Sequence, residues 1–120
     1  MQIDHINIKA PKKLLEIEKD FLLKTLNLTI GKRPNLNHFG YWLNFDNNAL
    51  FHLSVDENRK SGINNLDHIA FFSDNLQSFM QNLQNLKVEF SYRYIDELNL
   101  SQVFFFTTLG VRIEVGFAGK

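Results

Sequence analysis

Three histidines and one glutamate have the types and the spacing that could bind a metal ion. His5 lies in the sequence IDHI, and His68 lies in the nearly identical sequence LDHI, 63 residues later. His52 and Glu114 are 62 residues apart and occupy matching places further along the chain. Imidazole nitrogens and a carboxylate are the usual protein donors for Fe(II), Mn(II), Ni(II), Co(II) and Zn(II). The sequence therefore predicts that these four residues bind one divalent ion from this group.

The recurrence of both anchors indicates that the chain is one unit written twice. We place module one at residues 1–58 and module two at residues 63–120, within a single domain over residues 1–120. The polar segment DENRKSGINN (56–65), with Gly62, predicts a turn between them. Each module has about 60 residues, which is marginal for independent folding, so we expect a shared core.

Each DHI sequence is followed by a predicted helix and then by β-strands. Ser73 or Asp74 is expected to cap the second helix. Strands are predicted at residues 39–45 and 49–55 in module one, and at residues 102–107 and 110–117 in module two. The apolar stripes that predict the helices are Leu14, Ile17, Phe21 and Leu22 in module one, with Lys and Glu opposite, and Leu76, Phe79, Met80, Leu83 and Leu86 in module two.

Alternation along the strands places all four candidate ligands opposite the clearest apolar face of their strand. Side chains two residues apart share a face, so His5 opposes Ile6 and Ile8, and His68 opposes Ile69 and Phe71. If helices cover the apolar faces, the other faces hold three imidazoles and a carboxylate. A divalent cation would satisfy these groups together, because buried ionisable groups require partners. A cavity that binds an organic ligand without metal is the alternative.

The same alternation predicts which residues line a substrate pocket. Trp42 and Phe104 occupy equivalent places in the two halves, and packing in the core is their alternative role. Arg112 could bind a substrate carboxylate with its guanidinium fork, neutralise Glu114 or face solvent. His38 lies outside the pattern and has no predicted metal role. The predicted neighbours of the metal are Asn7, Ser54, Ala70 and Arg112, the further substrate-binding residues are Trp42, Gln102 and Phe104, with Phe106 on the same face, and the residues at the pocket mouth are Arg33, Arg93 and Tyr94.

Composition narrows the class of protein. Thirteen basic residues balance thirteen acidic ones, so an electrostatic grip on nucleic acid or on an anionic membrane is not expected. The chain has no cysteine, which excludes disulfides and thiolate metal sites. It shows no signal-peptide pattern and no apolar run long enough to span a membrane. We predict a cytoplasmic protein whose partner is a small-molecule substrate.

The sequence resembles the vicinal oxygen chelate superfamily, which includes glyoxalase I, extradiol dioxygenases, fosfomycin-resistance enzymes and bleomycin-resistance proteins. The resemblance rests on DHI at both module starts, on WL…LFHL in module one, and on LDHIAFF and QVFFFTTLGVRIEV in module two. It implies an α+β fold of two βαβββ modules that form an open mixed β-barrel around a central cavity, with the helices outside. It implies the same ligands, His5, His52, His68 and Glu114.

Two departures from the family pattern bear on function. The turn before the last strand reads TTLG (107–110) where the family often has DPNG or DPDG, and Gly110 is expected to preserve it. His52 stands where glyoxalase I enzymes usually carry a glutamate that ligates the metal and helps to move a proton. The three-ligand set of fosfomycin-resistance enzymes matches His5, His68 and Glu114.

These features favour a metal-dependent enzyme of glyoxalase or dioxygenase type. Its substrate would be a small organic molecule that chelates the metal through adjacent oxygens. Lyase or isomerase chemistry with Glu114 as the catalytic base and oxygen activation at Fe(II) or Mn(II) both stay open. The alternative is a non-catalytic protein of the bleomycin-resistance type that binds a drug or metabolite. By resemblance we expect a homodimer, with each metal site inside one chain or shared between two.

Overall fold

The computed structural model describes residues 2–60 and 66–120. The chain divides into two compact units, Met1–Ile63 and Asn64–Lys120. The predicted turn at Gly62 and the start of module two at residue 63 lie outside the described residues. No described helix is long and apolar enough to cross a membrane.

Each unit has the same order of elements, a strand, a helix and three strands. The elements of the first unit are β1 (Ile6–Ala10), α1 (Lys12–Thr25), β2 (Thr29–Ile30), β3 (Gly40–Phe45) and β4 (Asn48–Val55). Those of the second are β5 (Ile69–Ser73), α2 (Leu76–Asn85), β6 (Ser91–Ile95), a 3₁₀ turn (Asp96–Leu98), β7 (Leu100–Phe106) and β8 (Arg112–Ala118). The prediction of an α+β fold with two βαβββ modules is confirmed.

Both sheets have the same topology. Their strand orders are β1-β4-β3-β2 and β5-β8-β7-β6, in which the first pair is parallel and the others are antiparallel. Asn7 pairs with His52 in the first sheet, and Ala70 pairs with Glu114 in the second. Since Ala70 follows Asn7 by 63 residues, the two registers are equivalent. The register therefore confirms that His52 and Glu114 occupy matching positions.

The apolar core of the first unit lies between α1 and its sheet. Phe51 and Leu53 of β4 are fully buried and lie on the strand face opposite His52. The predicted helical stripe was partly wrong, because Leu14 and Ile17 are exposed. The buried residues of α1 are Leu15, Glu18, Leu22 and Thr25. The helix is thus turned by about one residue, and an acidic residue, Glu18, takes a buried position that the pattern had assigned to solvent.

The second unit buries phenylalanines beneath α2. Phe79 of the helix packs against Phe105 and Phe117, with ring centroids 6.1 and 5.5 Å apart. The helix begins after Asn75, whose side-chain oxygen accepts a hydrogen bond from the backbone N–H of Ser78 at 3.1 Å. The predicted cap at Ser73 or Asp74 was therefore wrong, because Asn75 tolerates the left-handed backbone found there.

Candidate metal centre

Strand pairing in the first unit brings His5 and His52 together. His5 directly precedes β1, which runs parallel to β4, and the two imidazoles stack with centroids 3.9 Å apart and planes 9° apart. Trp42 of β3 pairs with His52 in the sheet, and its ring stacks on His52 at 4.1 Å and 7°. We call His5, His52 and Trp42 the ring stack. Alternation predicted this shared face correctly.

The ring stack limits how its histidines could hold a metal. An imidazole lone pair lies in the plane of its ring, so a metal bound to two rings must lie close to both planes. The planes of His5 and His52 are nearly parallel and do not meet near the rings. Joint ligation of one ion therefore requires one of these rings to turn out of the stack. His5 fits as a ligand in its observed position more readily than His52, which has a ring on each side.

The environment of His52 favours its neutral form. Burial, followed by the charge on neighbouring His5, lowers the pKa of His52 below its ordinary value of 6.5. A neutral imidazole can accept a hydrogen bond or bind a metal, whereas an imidazolium can do neither.

The second unit places His68 and Glu114 as a pair that fits one ion. His68 directly precedes β5, Glu114 lies on β8, and these strands are parallel neighbours. The Nε2 atom of His68 is 3.6 Å from Oε1 of Glu114. Two such donors on one tetrahedral zinc ion would be about 3.4 Å apart, given metal–ligand bonds of about 2.1 Å. The observed separation is therefore close to what shared ligation requires.

An aspartate orients the DHI histidine in each unit. Oδ2 of Asp4 is 2.7 Å from Nδ1 of His5, and Oδ2 of Asp67 is 2.7 Å from Nδ1 of His68. A carboxylate that accepts from Nδ1 fixes the tautomer and leaves Nε2 for a metal. Both aspartates were missed as site residues, although the repeated Asp-His dipeptide displayed them. The hydrogen bond with His68, followed by that with Arg112, lowers the pKa of Asp67.

The predicted substrate-binding residues lie on the ligand-bearing faces of their own sheets. In the first unit, Nδ2 of Asn7 donates to Oγ of Ser54 at 3.4 Å, beside His52. In the second, Phe104 pairs with Glu114, and its ring meets that of His68 edge-on at 6.5 Å. Gln102 lies on the same face and is buried.

The residues predicted at the pocket mouth have different surroundings. An η nitrogen of Arg33 donates to the backbone oxygen of His38 at 2.9 Å. Arg93 contacts Gln102 and Phe104 on the ligand-bearing face. Tyr94 follows Arg93 directly and so faces the other way, where its hydroxyl donates to Asn99.

The structure thus brings the candidate ligands together in two pairs, one in each unit. Among residues 2–60 and 66–120, no three or more His, Asp or Glu side chains form a ready-made metal cluster. Binding of one ion by all four residues stays a prediction.

Comparison with solved structures identifies the fold. No protein-family model matches the sequence, and no curated protein matches it. A glyoxalase family protein from Bacillus anthracis superposes with a TM-score of 0.72 at 20% identity, over 98% of this chain and 95% of that one. The fosfomycin resistance protein FosX from Listeria monocytogenes gives 0.74 at 14% identity, over 98% and 93%. A glyoxylase/bleomycin resistance protein/dioxygenase domain from Frankia gives 0.76 at 12% identity, over 100% and 98%.

The chain has the vicinal oxygen chelate fold. The resemblance found in the sequence is confirmed at this level. Within this fold, the turn before β8 departs from the family pattern but keeps its geometry. Gly110 has a φ of 84°, its N–H donates to the backbone oxygen of Thr107, and the Thr107 hydroxyl accepts from the N–H of Val111. The expectation that Gly110 preserves this turn is confirmed.

Proposed function

We propose that the protein is a metal-dependent enzyme of the vicinal oxygen chelate type. Its ligands would be His5, His52, His68 and Glu114, which bind one divalent ion of Fe, Mn, Ni, Co or Zn. The substrate would be a small organic molecule that chelates the ion through adjacent oxygens. The similar fold of FosX supports this, because a variant of that Listeria protein was crystallised with Mn(II) and 1S,2S-dihydroxypropylphosphonic acid. A lactoylglutathione lyase from Agrobacterium tumefaciens has a similar fold as well.

The observation that carries the proposal is the geometry of the second unit. Asp67 holds Nδ1 of His68, and Nε2 of the same ring lies 3.6 Å from the Glu114 carboxylate. Only 15% of the Glu114 side chain and 35% of the His68 side chain are exposed. An anionic oxygen and a ring nitrogen held in this way are preorganised to receive a cation.

A bound divalent ion would supply Lewis acidity toward substrate oxygens or, as Fe(II) or Mn(II), a centre for oxygen activation. The protein's own residues would do the rest. Asp4 and Asp67 would keep the histidine tautomers fixed. Glu114 is the carboxylate placed to accept a proton from the substrate in a lyase or isomerase reaction, provided that it can leave the ion.

Elemental analysis of untagged protein tests the proposal and identifies the ion. We expect about one equivalent of metal in the parent protein, and its loss in His68→Ala and in Glu114→Ala. His38→Ala, which changes a histidine outside the site, should retain the metal. Unchanged metal content in both ligand variants would reject the site.

The ring stack supports a second candidate function, the binding of a drug or metabolite without turnover. Parallel aromatic rings offer a flat surface for stacking an aromatic compound, and they do not converge on one ion as they stand. Tight binding of an aromatic compound by protein that lacks stoichiometric metal would favour this function. We also propose a homodimer and a single-domain organisation, which sedimentation and the cooperativity of unfolding would check.

A further inference from the structure

Two arginines of the second unit converge on one aromatic ring. The guanidinium carbon of Arg112 lies 4.5 Å from the centroid of the Phe104 ring, and that of Arg93 lies 5.3 Å from it. The arginines come from β8 and β6, which flank β7, the strand of Phe104. Phe104 is buried, so the ring provides a fixed platform for both cations.

Arg93 is anchored but keeps most of its donors. Its Nε donates to Oε1 of Gln102 at 2.6 Å, and Gln102 is itself buried. No carboxylate within the described ranges forms an ion pair with Arg93. Its two η nitrogens therefore present an uncompensated positive charge in a fixed orientation, which suits bidentate recognition of an oxyanion.

Arg112 is anchored in a different way. One η nitrogen donates to Oδ2 of Asp67 at 3.1 Å, the same oxygen that accepts from His68. Arg112 and Glu114 are two residues apart on β8, so they share a face of the sheet. Its other guanidinium donors are left beside the His68–Glu114 pair, where a substrate held by that pair would present its remaining polar groups.

We propose that Arg93 and Arg112 form an oxyanion-binding site, on either flank of Phe104, for a carboxylate or phosphonate group of the substrate. The word substrate rests on the proposed function, whereas the anion site itself needs only the second unit. Gln102 is a positioning residue in this arrangement, because it fixes Arg93 through Nε. The site selects anionic substrates over neutral ones of the same shape.

The test uses the full chain after removal of metal with a chelator. Binding of malonate, phosphonoacetate and the neutral analogue malonamide is followed by NMR on ¹⁵N-labelled protein. We expect each anion to bind about ten-fold more tightly than malonamide, since hydrogen bonds to charged groups are the stronger ones. The tighter of the two anions identifies the group that the site prefers.

Variants assign the preference to the two arginines. Arg93→Gln and Arg112→Gln should each reduce the preference for anions several-fold, and Arg93→Lys should retain part of it, because the charge stays and the fork is lost. Arg59→Gln makes the same change at an exposed arginine of the first unit and should leave binding unchanged. Amide spectra that overlay those of the parent would show that the variants fold.

Two results would overturn the anion site. One is equal affinity for malonamide and both anions in the parent, and the other is an undiminished preference in both glutamine variants. Repeating the titrations with Mn(II) separates this inference from the proposed function. Anion preference with no binding of Mn(II) would retain the site and remove the metalloenzyme, whereas Mn(II) binding without anion preference would do the reverse.

Discussion

The ring stack predicts how the stability of the metal-free protein depends on pH. His52 lies between His5 and Trp42, with ring centroids 3.9 and 4.1 Å away. Burial and the neighbouring His5 charge lower the pKa of His52 in the folded protein. The perturbation is His52→Gln, which keeps a polar side chain and removes the titration.

The sign and the size of the effect follow from proton linkage. In the unfolded chain His52 titrates near its ordinary value of 6.5. The folded protein binds fewer protons than the unfolded chain as the pH falls below that value, so the free energy of unfolding decreases. The contribution of His52 is fully present above pH 6.5 and is lost progressively down to its lowered folded pKa. Its slope cannot exceed about 1.4 kcal/mol for each pH unit, because one proton is involved.

Urea unfolding followed by circular dichroism measures this slope. Chelator-treated parent and His52→Gln proteins are compared between about pH 7.5 and about pH 5, where histidines titrate. The parent should lose more stability than the variant over this range. His38→Gln, which removes a histidine outside the ring stack, should follow the parent. Equal slopes in the parent and His52→Gln would refute the inference that the ring stack holds His52 neutral.

Two further predictions concern the second unit. Asp67→Asn should weaken metal binding about ten-fold, at the lower end for a residue that orients a ligand because Asp67 is exposed, and competition with a chromophoric chelator would measure it; unchanged affinity would contradict the assigned role. Phe105→Ala should lower the free energy of unfolding by about 3 to 5 kcal/mol, because Phe105 is buried against Phe79. Phe106→Ala, at the exposed neighbouring position, should cost less than about 1 kcal/mol, and similar losses at both positions would contradict the assigned core.

Strand faces could be predicted from the sequence because alternation depends only on local geometry. Phe51 and Leu53 are buried where His52 is not, as their order along β4 requires. The short strand β2 has two exposed residues and no alternation that could reveal it. The buried face of α1 was displaced because Glu18 occupies it, and an acidic residue reads as solvent-facing in any hydrophobic pattern.

The candidate site could be predicted only in part, for a similar reason. Equal spacing located His68 and Glu114, and strand pairing then set their separation of 3.6 Å. Spacing does not fix side-chain rotamers, so it gave no sign that His5 and His52 would stack instead of converging. It also could not show that Asp67 serves both His68 and Arg112, because that contact joins residues 45 positions apart.

The parallel pairing of β5 with β8 has a consequence for hydrogen exchange. β5 is an edge strand, held by one ladder only, and edges open at lower free energy than the interior of a sheet. A ligand that joins His68 to Glu114 binds only while the edge is closed, so it must raise the free energy of opening by its own binding free energy. Amide protection along β5 would therefore report occupancy of the site without any knowledge of the reaction.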